Sequence, residues 1–221
     1  INGWAMEARL YAEDPAKGFL PSIGRLEAFD LGDEARIDTG VEQGADISPY
    51  YDPMIAKVIA WGEDRDEARE NLADAVSDAI VWPVRSNAGF LVEALEHHAF
   101  ASGEIDTGLI AREGDALMPN AQPSEEALAD AAAALVGDVP MAGFRLNAPP
   151  RTLGTFLLDG APVTIDRTTP EAGSQPAENL LIAEGGQTWQ LAHWRAAGGA
   201  GGATGDGAIL APMPGRVISV D

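Results

Sequence analysis

The chain has no cysteine, which excludes disulfides, a cysteine nucleophile and thiolate metal sites. Positive charge is scarce: 14 Lys and Arg stand against 35 Asp and Glu, for a formal net charge of −21. Nucleic acids and anionic membranes reward basic patches, so neither is expected as a partner. No apolar run approaches the ~20 residues needed to span a bilayer. Histidine is limited to His97, His98 and His193, without metal-ligand spacing, so no metal site is expected. A Gly-x-Ser-x-Gly nucleophile elbow does not occur. The glycine run Gly202-Ala203-Thr204-Gly205-Asp206-Gly207 continues into Ala208-Ile209, where a phosphate loop needs Lys and Ser/Thr. What the chain does have is ordinary core material, 46% hydrophobic over 221 residues, enough for one large domain or two small ones. Its five tryptophans are dispersed and suit core positions rather than a ligand site.

The pattern along the chain is α+β, in three pieces. Within residues 1–115, Trp4 to Tyr11 reads as a strand with Ala5, Glu7, Arg9 and Tyr11 on one face and Trp4, Met6, Ala8 and Leu10 on the other. The first face is polar, and its plain reading is a Glu7–Arg9 ion pair in solvent, worth ~0–1 kcal/mol. An exposed stretch runs to Gly44, then Pro53 to Trp61 is a strand. Asp64 can cap a helix over 65–80 whose apolar positions Ala68, Leu72, Ala75, Val76 and Ile80 follow the 3.6 period. Helices follow over 87–97, with His97 and His98 at its end, and from Asp106 to Ala111, with Asp106 as cap.

Residues 116–195 form a second unit. Ser124-Glu125-Glu126 opens an Ala/Leu-rich helix that Gly137 stops, with Leu128, Ala131, Ala132 and Leu135 as its stripe and small alanines suggesting enclosure. Strands are expected at Phe144 to Asn147 and at Leu153 to Leu158. The latter turns through Asp159-Gly160 into Val163 to Asp166, and Leu180 to Ala183 pairs with Thr188 to Leu191 across Glu184-Gly185-Gly186-Gln187. Residues 196–207 are a Gly/Ala linker suited to a mobile carrier.

Three motifs carry a resemblance. Asn2-Gly3-Trp4-Ala5-Met6-Glu7-Ala8-Arg9-Leu10-Tyr11-Ala12-Glu13-Asp14-Pro15, Gly18-Phe19-Leu20-Pro21-Ser22-Ile23-Gly24-Arg25-Leu26 and Tyr50-Tyr51-Asp52-Pro53-Met54-Ile55-Ala56-Lys57 closely resemble the C-terminal subdomain of biotin carboxylase, as fused into acyl-CoA carboxylase α subunits. Residues 116–195 resemble the BT domain of those subunits, an antiparallel β-barrel around a central helix. Gly143-Phe144-Arg145-Leu146-Asn147 is most similar to the 3-methylcrotonyl-CoA carboxylase α subunit, less so to the propionyl enzyme. Ala211-Pro212-Met213-Pro214-Gly215 and the strand after it look like the opening of a biotinyl carrier domain, over 208–221. The Ala-Met-Lys-Met-type tetrapeptide that carries biotin is absent from the 221 residues, and the chain is read as a fragment, truncated at both ends.

The resemblance implies the α subunit of a biotin-dependent carboxylase using biotin, ATP and Mg2+ or Mn2+, with a carboxyltransferase β subunit as partner and an acyl-CoA as final acceptor. It also implies that Arg9 lies by the biotin ureido group, where a guanidinium that stays charged and offers a rigid fork of donors stabilises an oxyanion. The fragment itself is expected to bind no biotin, hydrolyse no ATP and hold no metal. The location implied is cytoplasmic, or the mitochondrial matrix in a eukaryote. A second reading takes the fragment as a non-catalytic interaction module whose BT domain holds α and β subunits together.

Overall fold

The computed structural model describes residues 2–139, 143–149 and 151–194. The linker expected at 196–207 and the carrier opening at 208–221 lie outside the described residues.

Alternation of small apolar and polar residues drives the first strand, β1 (Trp4–Tyr11). The segment after it holds short strands: β2 (Glu13–Asp14), β3 (Leu20–Pro21), β4 (Gly24–Arg25), β5 (Ala28–Asp30), β6 (Arg36–Thr39) and β7 (Asp46–Ile47). It was expected to be exposed, yet Ala12 and Leu26 in it are fully buried. The long strand β8 (Met54–Gly62) pairs antiparallel with β1 and with β6, giving a three-stranded sheet of order β1-β8-β6. Helix α1 (Arg65–Ser77) lies on its inner face, capped by Asp64, whose carboxylate accepts from the Glu67 amide at 2.9 Å. Ala8 and Leu10 of β1, Ala56, Val58 and Ala60 of β8, and Leu72 and Val76 of α1 form the centre of this core.

The helix expected to reach residue 80 ends earlier. Ile80 belongs to β9 (Ile80–Trp82), which pairs with β5. A short apolar run such as Ile80-Val81-Trp82 fits either state, and the cross-strand partner decides it. Helix α2 (Ala88–Glu96) lies within the expected 87–97. His97 does not merely end it: its Nδ1 accepts from the Ala99 amide at 3.3 Å, so it caps the next helix, α3 (His98–Ser102). Asp106 likewise is not the cap of α4 (Leu109–Glu113); Gly108 stands there. Asp106 accepts from Arg112 and from the Gly108 amide, and those bonds, Arg112 first, lower its carboxyl pKa from the ordinary carboxylate value.

In the second unit, α5 (Glu125–Val136) starts at Ser124, whose hydroxyl accepts from Ala127 N, and stops at Gly137, whose φ of 66° with ψ 178° suits glycine. Two hairpins follow, β10 (Leu153–Leu158) with β11 (Ala161–Asp166), and β12 (Asn179–Glu184) with β13 (Gln187–His193). Their two-residue turns, Asp159-Gly160 and Gly185-Gly186, have positive φ throughout, the conformation whose twist matches flanking strands. The sheet order is β11-β10-β13-β12. Leu128, Ala132 and Leu135 of α5 pack on Phe156, Leu158, Ile182, Trp189 and Leu191.

The closed barrel around a central helix is not found among the described residues. The four strands make an open sheet with α5 against one face, and Ala134 on the far side of that helix is exposed. Phe144 to Asn147 supplies no further strand: it forms a turn in which Leu146 is 81% exposed and Asn147 takes φ 59°.

The two clusters meet along a polar seam rather than through shared apolar side chains. Thr188 is buried there, its hydroxyl accepting from the Val81 amide at 3.3 Å. Arg85 donates to the Thr188 carbonyl at 3.0 Å and pairs with Asp159. The Gly186 amide donates to the Ser77 carbonyl at 2.8 Å.

Candidate functional site

The outer face of the β1-β8-β6 sheet carries the polar side chains. Along β1 the residues Glu7 and Arg9 are exposed and Tyr11 half-exposed, while Ala8 and Leu10 point into the core, as their alternation predicts; Trp4 departs from it, being 56% exposed at the strand's start. Register sets the neighbours. Arg9 stands opposite Lys57 of β8, and Lys57 stands opposite Asp38 of β6. Glu7 stands opposite Ile59, which stands opposite Arg36. Charges of both signs thus form rows across three strands, at the distances at which cross-strand side chains interact.

Arg9 is an exposed, loosely paired cation of this face. Its Nε lies 3.4 Å from Glu7 Oε1, and its side chain is 60% exposed. The hydrogen bond to Glu7 first, and then the Tyr11 side chain, raise its pKa further above an already high value. Arg9 therefore stays a cation at every accessible pH. Arg9 spends its Nε on this long, exposed contact with Glu7, leaving donors of the planar fork for another acceptor. Arg36 differs, for Nε and Nη2 each reach Asp38 at 3.0 Å in a two-point pair.

Backbone position at Arg9 is fixed from both sides. On one side β8 pairs with β1 down to Leu10, where the register shifts. On the other, Asn87 is buried at 7% exposure and bonds to the Arg9 carbonyl and to both backbone groups of Tyr11. Just past the strand, Glu13 of β2 lies near Asp52; burial first, and the Asp52 charge second, push the Glu13 carboxyl up from its ordinary value.

Of the residues expected at the site, the structure places Arg9 on a solvent-facing strand beside Glu7, which suits the ion pair and the ligand role alike. Lys57, Asp38 and Asn87 gather around it but do not stand out in sequence. Lys57 was visible only as the end of the Tyr50 to Lys57 motif, because the pairing of strands some fifty residues apart is set by the fold. Among the described residues no group of three or more His, Cys, Asp or Glu is placed to hold a metal, and no helix is long and apolar enough to cross a membrane.

Comparison with known proteins bears on this sheet directly. Residues 7–112 match the family model of the biotin carboxylase C-terminal domain. Among curated relatives, the chain is 40% identical over 140 residues to the mitochondrial methylcrotonoyl-CoA carboxylase subunit α of Dictyostelium discoideum, covering 62% of this chain and 20% of that protein. It is 47% identical over 111 residues to the human mitochondrial propionyl-CoA carboxylase α chain, covering 48% of this chain and 15% of that one. The chain thus spans a fifth or less of these relatives. In structure it is similar to the biotin carboxylase domain of a thermophilic 2-oxoglutarate carboxylase bound to bicarbonate, with TM-score 0.52, 30% identity, and 54% of this chain and 28% of that chain covered. Rhizobium etli pyruvate carboxylase with acetyl coenzyme A matches at TM-score 0.54 and 28% identity, over 70% of this chain and 16% of that chain.

Proposed function

We propose, from the premise that residues 7–112 are a biotin carboxylase C-terminal domain, that this chain is part of the α subunit of a biotin-dependent acyl-CoA carboxylase. The whole protein uses ATP, bicarbonate and Mg2+ or Mn2+ to carboxylate biotin, and a carboxyltransferase β subunit passes the carboxyl group to an acyl-CoA. Bound biotin supplies the ureido group that accepts the carboxyl. The donor set on the outer sheet face fits that group: Arg9 presents unspent N–H donors on an exposed strand face, and a ureido oxygen is an acceptor. For the metal, no group of three or more His, Cys, Asp or Glu is gathered among the described residues, and no step with ATP or its metal is assigned to this chain.

The role of Arg9 follows from charge. The Arg9 fork, permanently cationic and rigid at the strand surface, would stabilise the negative charge a ureido oxygen carries once the adjacent nitrogen is deprotonated for carboxylation, more than it would stabilise neutral biotin. Glu7 supports the guanidinium from the side at 3.4 Å without occupying it fully. The single observation that carries the reading is this exposed, incompletely paired arginine on the strand where the family match begins.

For the acyl-CoA, 3-methylcrotonyl-CoA is favoured. The alignment with the methylcrotonoyl relative extends over 140 residues, against 111 for the propionyl relative. Identity is higher over the shorter stretch, which keeps propionyl-CoA as the alternative. The compartment follows the source, the mitochondrial matrix in a eukaryote and the cytoplasm otherwise. A second reading concerns residues 116–195 as a BT-type module that docks the β subunit. It is supported by their own hydrophobic cluster of α5 and four strands.

Replacing Arg9 with Ala in the complete α subunit tests the main reading. Biotin carboxylation should fall by about 10²–10³, the loss typical of removing one oxyanion donor, with an unchanged circular dichroism spectrum. A wild-type rate would return Arg9 to a plain surface ion pair.

A further inference from the structure

Asn87 occupies the position before helix α2 where an asparagine side chain normally accepts from the helix's first amides. It makes no such bond. Instead its amide turns away to the outer edge of β1: Oδ1 accepts from the Tyr11 amide at 2.8 Å and Nδ2 donates to the Arg9 carbonyl at 3.2 Å. Its own backbone amide donates to the Tyr11 carbonyl at 3.0 Å. One residue thus does the hydrogen-bonding work of a neighbouring strand along residues 9–11, on an edge that no strand pairs among the described residues. It does so where β1 begins to leave β8, since the register shifts between Leu10 and Tyr11.

We propose that Asn87 is a positioning residue for biotin carboxylation, holding the Arg9 backbone so that the guanidinium meets the ureido oxygen. This rests on the reading of Arg9 given above. The Arg9 side chain is exposed, with a 3.4 Å contact to Glu7 and the Tyr11 side chain beside it, so its aim depends on its Cα more than on burial. The pairing of β1 with β8 holds that stretch from one side, and Asn87 holds it from the other. Burial at 7% exposure limits the competition of water for these bonds. A misplacement of about 1 Å at a reacting group can cost on the order of 10²-fold in rate.

The test is a double-mutant cycle in the complete α subunit, with kcat and KM for biotin and KM for ATP as readouts. Asn87→Asp keeps the size and the acceptor for Tyr11 but replaces the donor to the Arg9 carbonyl with a second oxygen. The expected result is a fall in kcat of roughly 10-fold or more, an unchanged KM for ATP, and no further fall when the change is added to Arg9→Ala. Asn87→Ser, which leaves a small gap rather than a charge, enters the same cycle should Asn87→Asp not fold. A slow Arg9→Ala combined with full activity in the Asn87 variants, or with losses that multiply, overturns the positioning role alone. Full activity in Arg9→Ala removes the reading of Arg9 and the positioning role with it.

Discussion

The turn Gly185-Gly186 offers a matched pair of substitutions that measures how tightly the second unit's sheet is seated on the first. Both glycines have positive φ, 56° and 71°, so alanine at either pays the left-handed strain of about 1–2 kcal/mol. Their surroundings differ. A Cβ at Gly185 meets nothing within 4 Å, whereas one at Gly186 would lie 2.7 Å from the Ala88 carbonyl carbon and 2.8 Å from the Gly89 nitrogen. These are backbone atoms at the start of α2 and cannot swing aside, so the hairpin itself must lift. Lifting stretches the bond from the Gly186 amide to the Ser77 carbonyl, 2.8 Å in the native chain, and an unmet buried amide costs about 1–3 kcal/mol. Gly185→Ala should therefore destabilise by about 1–2 kcal/mol and Gly186→Ala by roughly 1–3 kcal/mol more. For a chain of this size the extra loss is about 2–12 °C in Tm. Thermal and urea melts of the 221-residue chain, followed by tryptophan fluorescence and by far-ultraviolet dichroism, read both values. Equal losses at the two positions would refute the idea that backbone contact at the seam, rather than turn strain, sets the difference.

Two further outcomes are expected. Glu13 has a carboxyl raised by burial and by Asp52, so the folded chain binds this proton more tightly than the unfolded chain and ionisation of Glu13 opposes folding at neutral pH. Glu13→Gln should then raise Tm at neutral pH, with the advantage shrinking as pH falls through the folded-state value and vanishing once both states are protonated; an advantage constant down to acid pH would place its cause elsewhere. For the docking module, a tagged carboxyltransferase β subunit should retain the 221-residue chain in a pull-down and lose a chain ended at Gly137. Retention of the shortened chain would move docking away from the β10–β13 sheet.

Local signals carried far in this sequence. Asp64 and Ser124 cap their helices and Asp159-Gly160 and Gly185-Gly186 turn their hairpins. Each of these choices is decided within a few residues by side-chain oxygens or by tolerance of positive φ. Failures came where a segment's state depends on a distant partner. Ile80 fits the helical period of α1 yet joins β9 because β5 is available to pair with it. Phe144 to Asn147 has strand-like residues but pairs with no strand among the described residues, and it ends in a turn at Leu146 and Asn147. Asp106 and His97 are capping types, and which amide each of them meets depended on chain direction beyond the local pattern.

The site shows the same division. The sequence alone determined the alternation of β1, and hence that Glu7 and Arg9 share an outward face, because side chains alternate along any strand. It also determined the strong acidic balance and the three motifs that match residues 7–112 to a family. Only the tertiary structure decided what faces Arg9. Register put Lys57 across from it and Asp38 beyond, and the return of the chain from β9 brought Asn87 to the edge of its strand from 78 residues away. It decided as well that the second unit is an open sheet rather than a closed barrel among the described residues, and that the seam between the units is hydrogen-bonded through Arg85, Thr188 and Gly186. Those contacts join groups far apart in the chain, where no local propensity acts and the balance of burial and hydrogen bonding over the whole fold selects the arrangement.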